Sequence, residues 1–152
     1  RAVRRHAKRF LFTCHAAPAA VLSQIREQHG SMSWISSHLA EALLAMPSLR
    51  GGNEEASGKA PDELQAEGRG GRVVFATFEL WREGEEPGAA GVEPVAGLAG
   101  FALEAGHGAV YHGASACHSA DNAGIVLDTC AAICLERAGF SLFDQGQYHP
   151  YK

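Results

Sequence analysis

The side chains that could ligate a metal or act as nucleophiles are four cysteines, at positions 14, 117, 130 and 134, and eight histidines. Cys14-His15 and Cys117-His118 are adjacent pairs, while Cys130 and Cys134 stand one helical turn apart among apolar neighbours. This spacing is poor for zinc, and buried reduced thiols are its ordinary reading. Four cysteines in 152 residues are also too few for a disulfide scaffold. No metal is expected. A second kind of chemistry is electrostatic: Arg1, Arg4, Arg5, Lys8 and Arg9 crowd the first nine positions, with His6 among them. The remaining eight basic residues face 17 acidic ones, so a basic arm precedes a body of about −9 within a formal net charge of −4. Such an arm fits contact with phosphate or acidic lipid as well as it fits a solvated terminal turn. Asp144 closes the run Phe-Ser-Leu-Phe-Asp, with Gln145 and Gln147 just beyond, and on its own reads as the cap of a turn after a strand. Trp34, at the entrance to a helical pattern, reads on its own as a core indole.

Periodicity predicts the elements that must hold these groups. Hydrophobic residues make up 46% of the chain and charged residues 20%, which implies one globular domain over 1–152. No run approaches the roughly 18 consecutive apolar residues of a membrane span, and the Arg-rich start lacks the apolar stretch of a secretory signal. A cytosolic protein is the expectation, with the tail of an organelle transit peptide as the alternative.

Residues 9–14 predict a short strand, and Ala17 to Gln28 a helix with Val21, Leu22 and Ile25 on one face, ended by Gly30. A second helix starts near Ser36 or Ser37, carries Leu39, Leu43, Leu44 and Met46, and stops at Pro47. Residues 50–72, with Leu64 as their only large apolar side chain before the next strand, predict a flexible insertion. Strands over 73–82, 95–104 and 109–116 predict a meander, with a long first turn through 85–91 and a tight second one at 106–108. Asp121 is expected to cap a helix to about Ala138, with Ala123, Val126, Leu127, Cys130, Ile133 and Cys134 on one face and Gly139 at its stop. Phe140–Asp144 then forms a short buried strand. The fold class is therefore α/β (α+β), and the order matches an acetyltransferase-like (GNAT) mixed sheet flanked by helices, with a crossover helix before the last strand.

Local strings follow the same order. They are Ser33-Trp34-Ile35 ahead of a helix, Glu79-Leu80-Trp81, the Gly84-Glu85 turn and Pro94-Val95-Ala96-Gly97-Leu98-Ala99-Gly100. Tyr111-His112-Gly113-Ala114-Ser115, Asp121-Asn122-Ala123 and the segment Phe140 to Asp144 come next. Together they resemble the catalytic domain of the leucyl/phenylalanyl-tRNA–protein transferases, whose passages include Thr-Trp-Ile, Phe-Phe-Gly-Glu-Ser and a Gly-Phe strand ending in Asp. The likeness runs from about Arg9 to Asp144, interrupted by 50–72, and the ungapped spacing from Tyr111 to Asp144 carries most of its weight.

The resemblance implies attack by the α-amino group at a protein N-terminus on the ester joining an amino acid to the terminal ribose of tRNA. It implies no cofactor, because the ester is already activated; aminoacyl-tRNA and an acceptor protein are the partners, and a monomer is the default. Asp144 matches the family's strand-end carboxylate, which polarises a glutamine that assists amine deprotonation. Trp34 matches the tryptophan that stacks on the terminal adenine. Leu43, Leu98, Tyr111, Asp128 and Phe143 match the apolar pocket for the aminoacyl side chain, and Ser115 matches a substrate-side serine. Arg1, Arg4, Arg5, Lys8 and Arg9 fit the tRNA backbone.

This sequence departs from the family's pattern at several of these positions. Gly146 stands where the glutamine is expected, leaving Gln147, or Gln145, to substitute only if the chain turns after Asp144. Asp128 replaces a leucine and Leu43 a tyrosine, Ala114 a glutamate, and Gly124-Ile125 a Ser-Lys pair. The chain lacks the family's N-terminal domain and closing segment, so a truncated form is expected. A non-catalytic tRNA- or protein-binding relic is one alternative. An acyl-CoA-dependent N-acetyltransferase is another, although Cys117 to Gly124 lacks a Gly-rich pyrophosphate loop.

Overall fold

A computed structural model describes residues 9–48, 71–105 and 108–146. Of the expected features, the basic residues Arg1, Arg4, Arg5 and Lys8, the insertion up to residue 70, the turn residues 106 and 107, and Gln147 lie outside the described residues.

The elements are β1 (Phe10–Cys14), α1 (Pro18–His29), α2 (Ser37–Leu44), β2 (Arg72–Arg82), β3 (Ala96–Ala105), β4 (Gly108–His118), α3 (Ala123–Arg137) and β5 (Phe140–Asp144). Pro18 opens α1, where a missing N–H and a fixed φ suit the first turn. The Ser36 hydroxyl accepts from the Leu39 N–H at 3.2 Å and caps α2. The five strands form one mixed sheet in the order β1-β2-β3-β4-β5. Neighbours are antiparallel up to β4, and β5 lies parallel to β4, a pairing that requires the crossover supplied by α3.

Strict alternation along β2 divides the core between the two sheet faces. Val74, Ala76, Phe78 and Leu80 pack with Leu98, Tyr111 and the buried side of α3. Phe75 points the other way, into a second cluster with Val21, Leu22 and Ile25 of α1, Ile35, and Leu43 of α2. At Gly97, α1 approaches so closely that a Cβ would meet the Val21 methyl groups at 2.8 Å. β4 carries one extra residue against β3: Gly100 pairs with Gly113 and Ala99 with Ser115, so Ala114 is bulged. At the same level the fully buried Tyr111 ring crosses Gly100, and its hydroxyl donates to the Ala76 carbonyl at 3.1 Å.

One buried carboxylate ties the first strand to the rest. Glu79 on β2 is fully buried on the α1/α2 face and accepts from Thr13 Oγ1 at 2.7 Å, from the Ala16 N–H at 3.2 Å and from Thr77 Oγ1. Thr13 in turn accepts from the indole N–H of the buried Trp81 at 2.8 Å. Beside this network the β1–α1 turn passes through His15 at φ 53°, whose N–H donates to the Thr77 carbonyl at 2.8 Å. Among the described residues no buried side-chain nitrogen or oxygen lacks a partner.

Several expectations need correction. Arg72 belongs to β2 rather than to the insertion. Asn122, at φ 62°, and not Asp121, occupies the cap position of α3, and it makes no side-chain capping bond. The buried stripe of α3 runs through Ala131 and Leu135, whereas Ile133 is 44% exposed. β5 is not a buried strand: Ser141 and Leu142 are exposed, because the described residues put β5 at the sheet edge. Among the described residues, no helix is long and apolar enough to cross a membrane.

Two substitutions test this account. A Cβ at Gly100 would overlap the His112 carbonyl oxygen and sit 2.7 Å from the Tyr111 hydroxyl. Gly100→Ala is therefore expected to destabilise by about 3 kcal/mol or more in urea unfolding, because backbone cannot yield as a flexible side chain would. Glu79→Ala strands three donors, and the same measurement should show a loss of about 2–4 kcal/mol.

Candidate functional site

Phe75, Phe101, His112 and Asp144 occupy one row across β2, β3, β4 and β5. The first two rings touch at 6.0 Å between centroids, and Phe101 packs on the α1/α2 core. Alternation sends Tyr111 and Phe143 to the α3 face, where their rings meet at 5.7 Å. It sends their neighbours His112 and Asp144 to the other face, beside Phe101.

There His112 Nδ1 lies 2.7 Å from Asp144 Oδ2, with the two side chains 41% and 45% exposed. The other carboxylate oxygen accepts from the Gly146 N–H at 2.8 Å, and Gly146 adopts φ +71°, a conformation few other residues take. The chain therefore turns immediately after Asp144. This pair is also the last in the β4–β5 ladder: β4 continues to His118 with no β5 partner among the described residues. Asp144 thus stands where two parallel strands part, at the carboxyl end of β5, a position where open α/β sheets bind ligands.

The other expected site residues scatter. Trp34 is 45% exposed while its neighbour Ile35 is buried, so this indole is not part of the core; Trp81 is the buried one. Ser115 is half-buried opposite Ala99, on the same face as His112 because the bulge at Ala114 intervenes. The proposed pocket residues do not converge. Leu98, Tyr111 and Phe143 pack on the α3 face, with Asp128 half-buried on α3, whereas Leu43 is buried on the opposite side of the sheet. Gln145 is half-buried after the strand, and Arg9 is exposed at the start of β1.

Two open cavities flank this arrangement without containing the His112–Asp144 pair. One, of about 340 Å³, is walled by α1 and the far end of β4, with Glu27, Arg82, Glu93 and His118 around it. The second, of about 410 Å³, lies between α3 and β5 over Ile133, Leu142 and Phe143. Among the described residues no three His, Cys, Asp or Glu side chains gather where a metal ion could be held.

His112 is not singled out by the sequence. Its local signal was weak, a polar residue between Tyr111 and Gly113, and its partner lies 32 residues away across a parallel pairing. No family model matches the chain, and no curated protein matches it.

The four cysteines are thiols at the core, Cys117 buried and Cys14, Cys130 and Cys134 half-buried. Burial pushes Cys117 up to about 11, with the Gly97 backbone pulling weakly the other way. Cys130 is raised by burial and by Cys134, and Tyr111 well above 10 by burial, reinforced by Cys14 and Glu79. A folded protein that keeps a proton the unfolded chain has lost is most stable below the unfolded value and weakens above it. Unfolding midpoints in urea should therefore fall between about pH 9 and pH 11, less steeply in Cys117→Ala. At pH 8, Cys117 should react with a disulfide reagent only on unfolding.

Proposed function

We propose that the chain is an aminoacyl-tRNA–protein transferase built on the acetyltransferase-like (GNAT) plan, acting at the gap where β4 and β5 part. The strand order with a single parallel pair and a crossover helix supports the architecture. The observation that carries the reading is Asp144. The carboxylate that the resemblance assigns to proton transfer lies at the end of the last strand, oriented by the Gly146 N–H and half-exposed.

The reaction asks little of the protein beyond placement and charge. An aminoacyl ester is reactive enough that holding the amine against its carbonyl, accepting one proton and stabilising an oxyanion supply the acceleration. Trp34 supports the tRNA side of the reading, because a half-exposed indole ahead of α2 leaves a ring surface for a base. Leu98 and Tyr111 are closely packed within the core and Leu43 lies on the other face, so these residues do not form one donor pocket.

The test is transfer itself. Radiolabelled aminoacyl-tRNAs are incubated with the chain and with peptides of differing N-terminal residue. Transfer is expected, reduced about 100-fold or more by Asp144→Asn. Trp34→Ala should raise KM for the tRNA about tenfold, the loss of one stacked base. Binding of tRNA with no transfer to any peptide would replace this reading with that of a non-catalytic tRNA-binding protein.

A further inference from the structure

Asp144 needs a group to act through, and the residue expected for that task is absent: position 146 is glycine, with no side chain to polarise. The imidazole of His112 lies where such a group would be. Its Nδ1 is 2.7 Å from Asp144 Oδ2, and its Cε1 would be 3.8 Å from a Cβ at position 146. A side chain at 146 would be strained at φ +71°, so the ring takes the space beside a bare backbone.

A carboxylate on Nδ1 selects the tautomer that carries its proton there, leaving the Nε2 lone pair free to accept. Nε2 has no hydrogen-bond partner among the described residues. The ring is anchored in other ways as well. Its strand is paired on both sides at this level, to Phe101 and to Asp144, and the Gly146 N–H fixes the carboxylate that fixes the ring.

We propose that His112 is the proton acceptor of the acyl-transfer site, with Asp144 as its positioning residue. The inference rests on the transferase reading for the identity of the substrates. In the step it describes, the acceptor α-amine attacks the ester carbonyl carbon; the C–N bond forms, and the carbonyl oxygen takes the electron pair as an oxyanion. The amine's extra proton passes to His112 Nε2. Collapse of the intermediate breaks the bond to the ribose oxygen, which leaves with that proton returned from Nε2, so the histidine ends as it began.

The bland account of the same geometry is a surface His–Asp bridge, and such bridges contribute little to stability. The two accounts therefore part on activity. His112→Ala and His112→Gln are compared with wild type in transfer from leucyl- and phenylalanyl-tRNA, and from the p-nitrophenyl ester of phenylalanine as a donor without tRNA. The glutamine can still donate to Asp144 but cannot take a proton, so it carries the test should the alanine variant fail to fold. Both variants should lose about 100-fold or more in kcat with KM for the tRNA and the unfolding midpoint little changed. Added imidazole should restore His112→Ala, whose ring site is empty, and not His112→Gln.

Wild-type rates in His112→Gln, with transfer from tRNA intact, would overturn the assignment of His112 and leave the transferase reading standing. Histidine-dependent aminolysis of the p-nitrophenyl ester with no transfer from any tRNA would support His112 and overturn the tRNA reading. Activity toward neither donor in wild type would overturn both.

Discussion

The buried carboxylate of Glu79 is the constraint on which the rest of the arrangement depends. A carboxylate at full burial is tolerable only if donors surround it, and here the donors come from β1, from the β1–α1 turn and from its own strand. Satisfying it fixes the position of the edge strand and the point from which α1 departs. α1 must then cross β3 where Gly97 admits Val21, and its packing sets the height of the second cluster. Trp81 joins through Thr13, so the largest side chain of the core is committed to the same network.

The far side of the sheet depends on a different economy, that of space. Tyr111 reaches from β4 under β3 to the Ala76 carbonyl of β2, and only a glycine at position 100 lets it pass. Fixing Tyr111 on the α3 face fixes His112 on the opposite one, since neighbours in a strand face opposite ways. The parallel register with β5 does the same for Phe143 and Asp144. The polar pair at the strand end is thus the reverse side of an aromatic pair in the core.

Much of this frame was legible in the sequence. Phe140 to Asp144 is a strand with the bounds the residues predict, Ser36 caps α2, and the three-strand meander follows its apolar alternation. The misreadings share a physical cause, the neglect of tertiary context. Ile133 lies on a face that a helical wheel would bury, but α3 is rotated toward Ala131 and Leu135, whose small and branched side chains fit the sheet. β5 reads as buried by composition, yet its place at the edge of the described sheet exposes Leu142 at 55%. At the candidate site, Asp144 was singled out through the resemblance, whose strand-end motif is local in sequence, whereas His112 was not, because register between parallel strands is set by the crossover and leaves no mark near either residue. Leu43 was grouped with residues that the sheet itself separates from it.

The extra residue at Ala114 works as a phase shift in the strand's two-beat code. Three positions separate His112 from Ser115, an odd number that regular pleating would divide between the two faces. With Ala114 bulged, both belong to the face that carries α1 and α2, and Cys117 follows them there. Substitution at position 114 changes a side chain, and deletion of it would only remove the bulge and leave Ser115 on the face of His112; pairing Ala114 into the ladder instead would turn the outer half of β4 inside out, carrying Ser115 and Cys117 to the side of α3 while His112 stayed behind. For this strand, reading frame in space matters more than residue identity, and whether one residue is counted into the ladder decides which face the outer half presents.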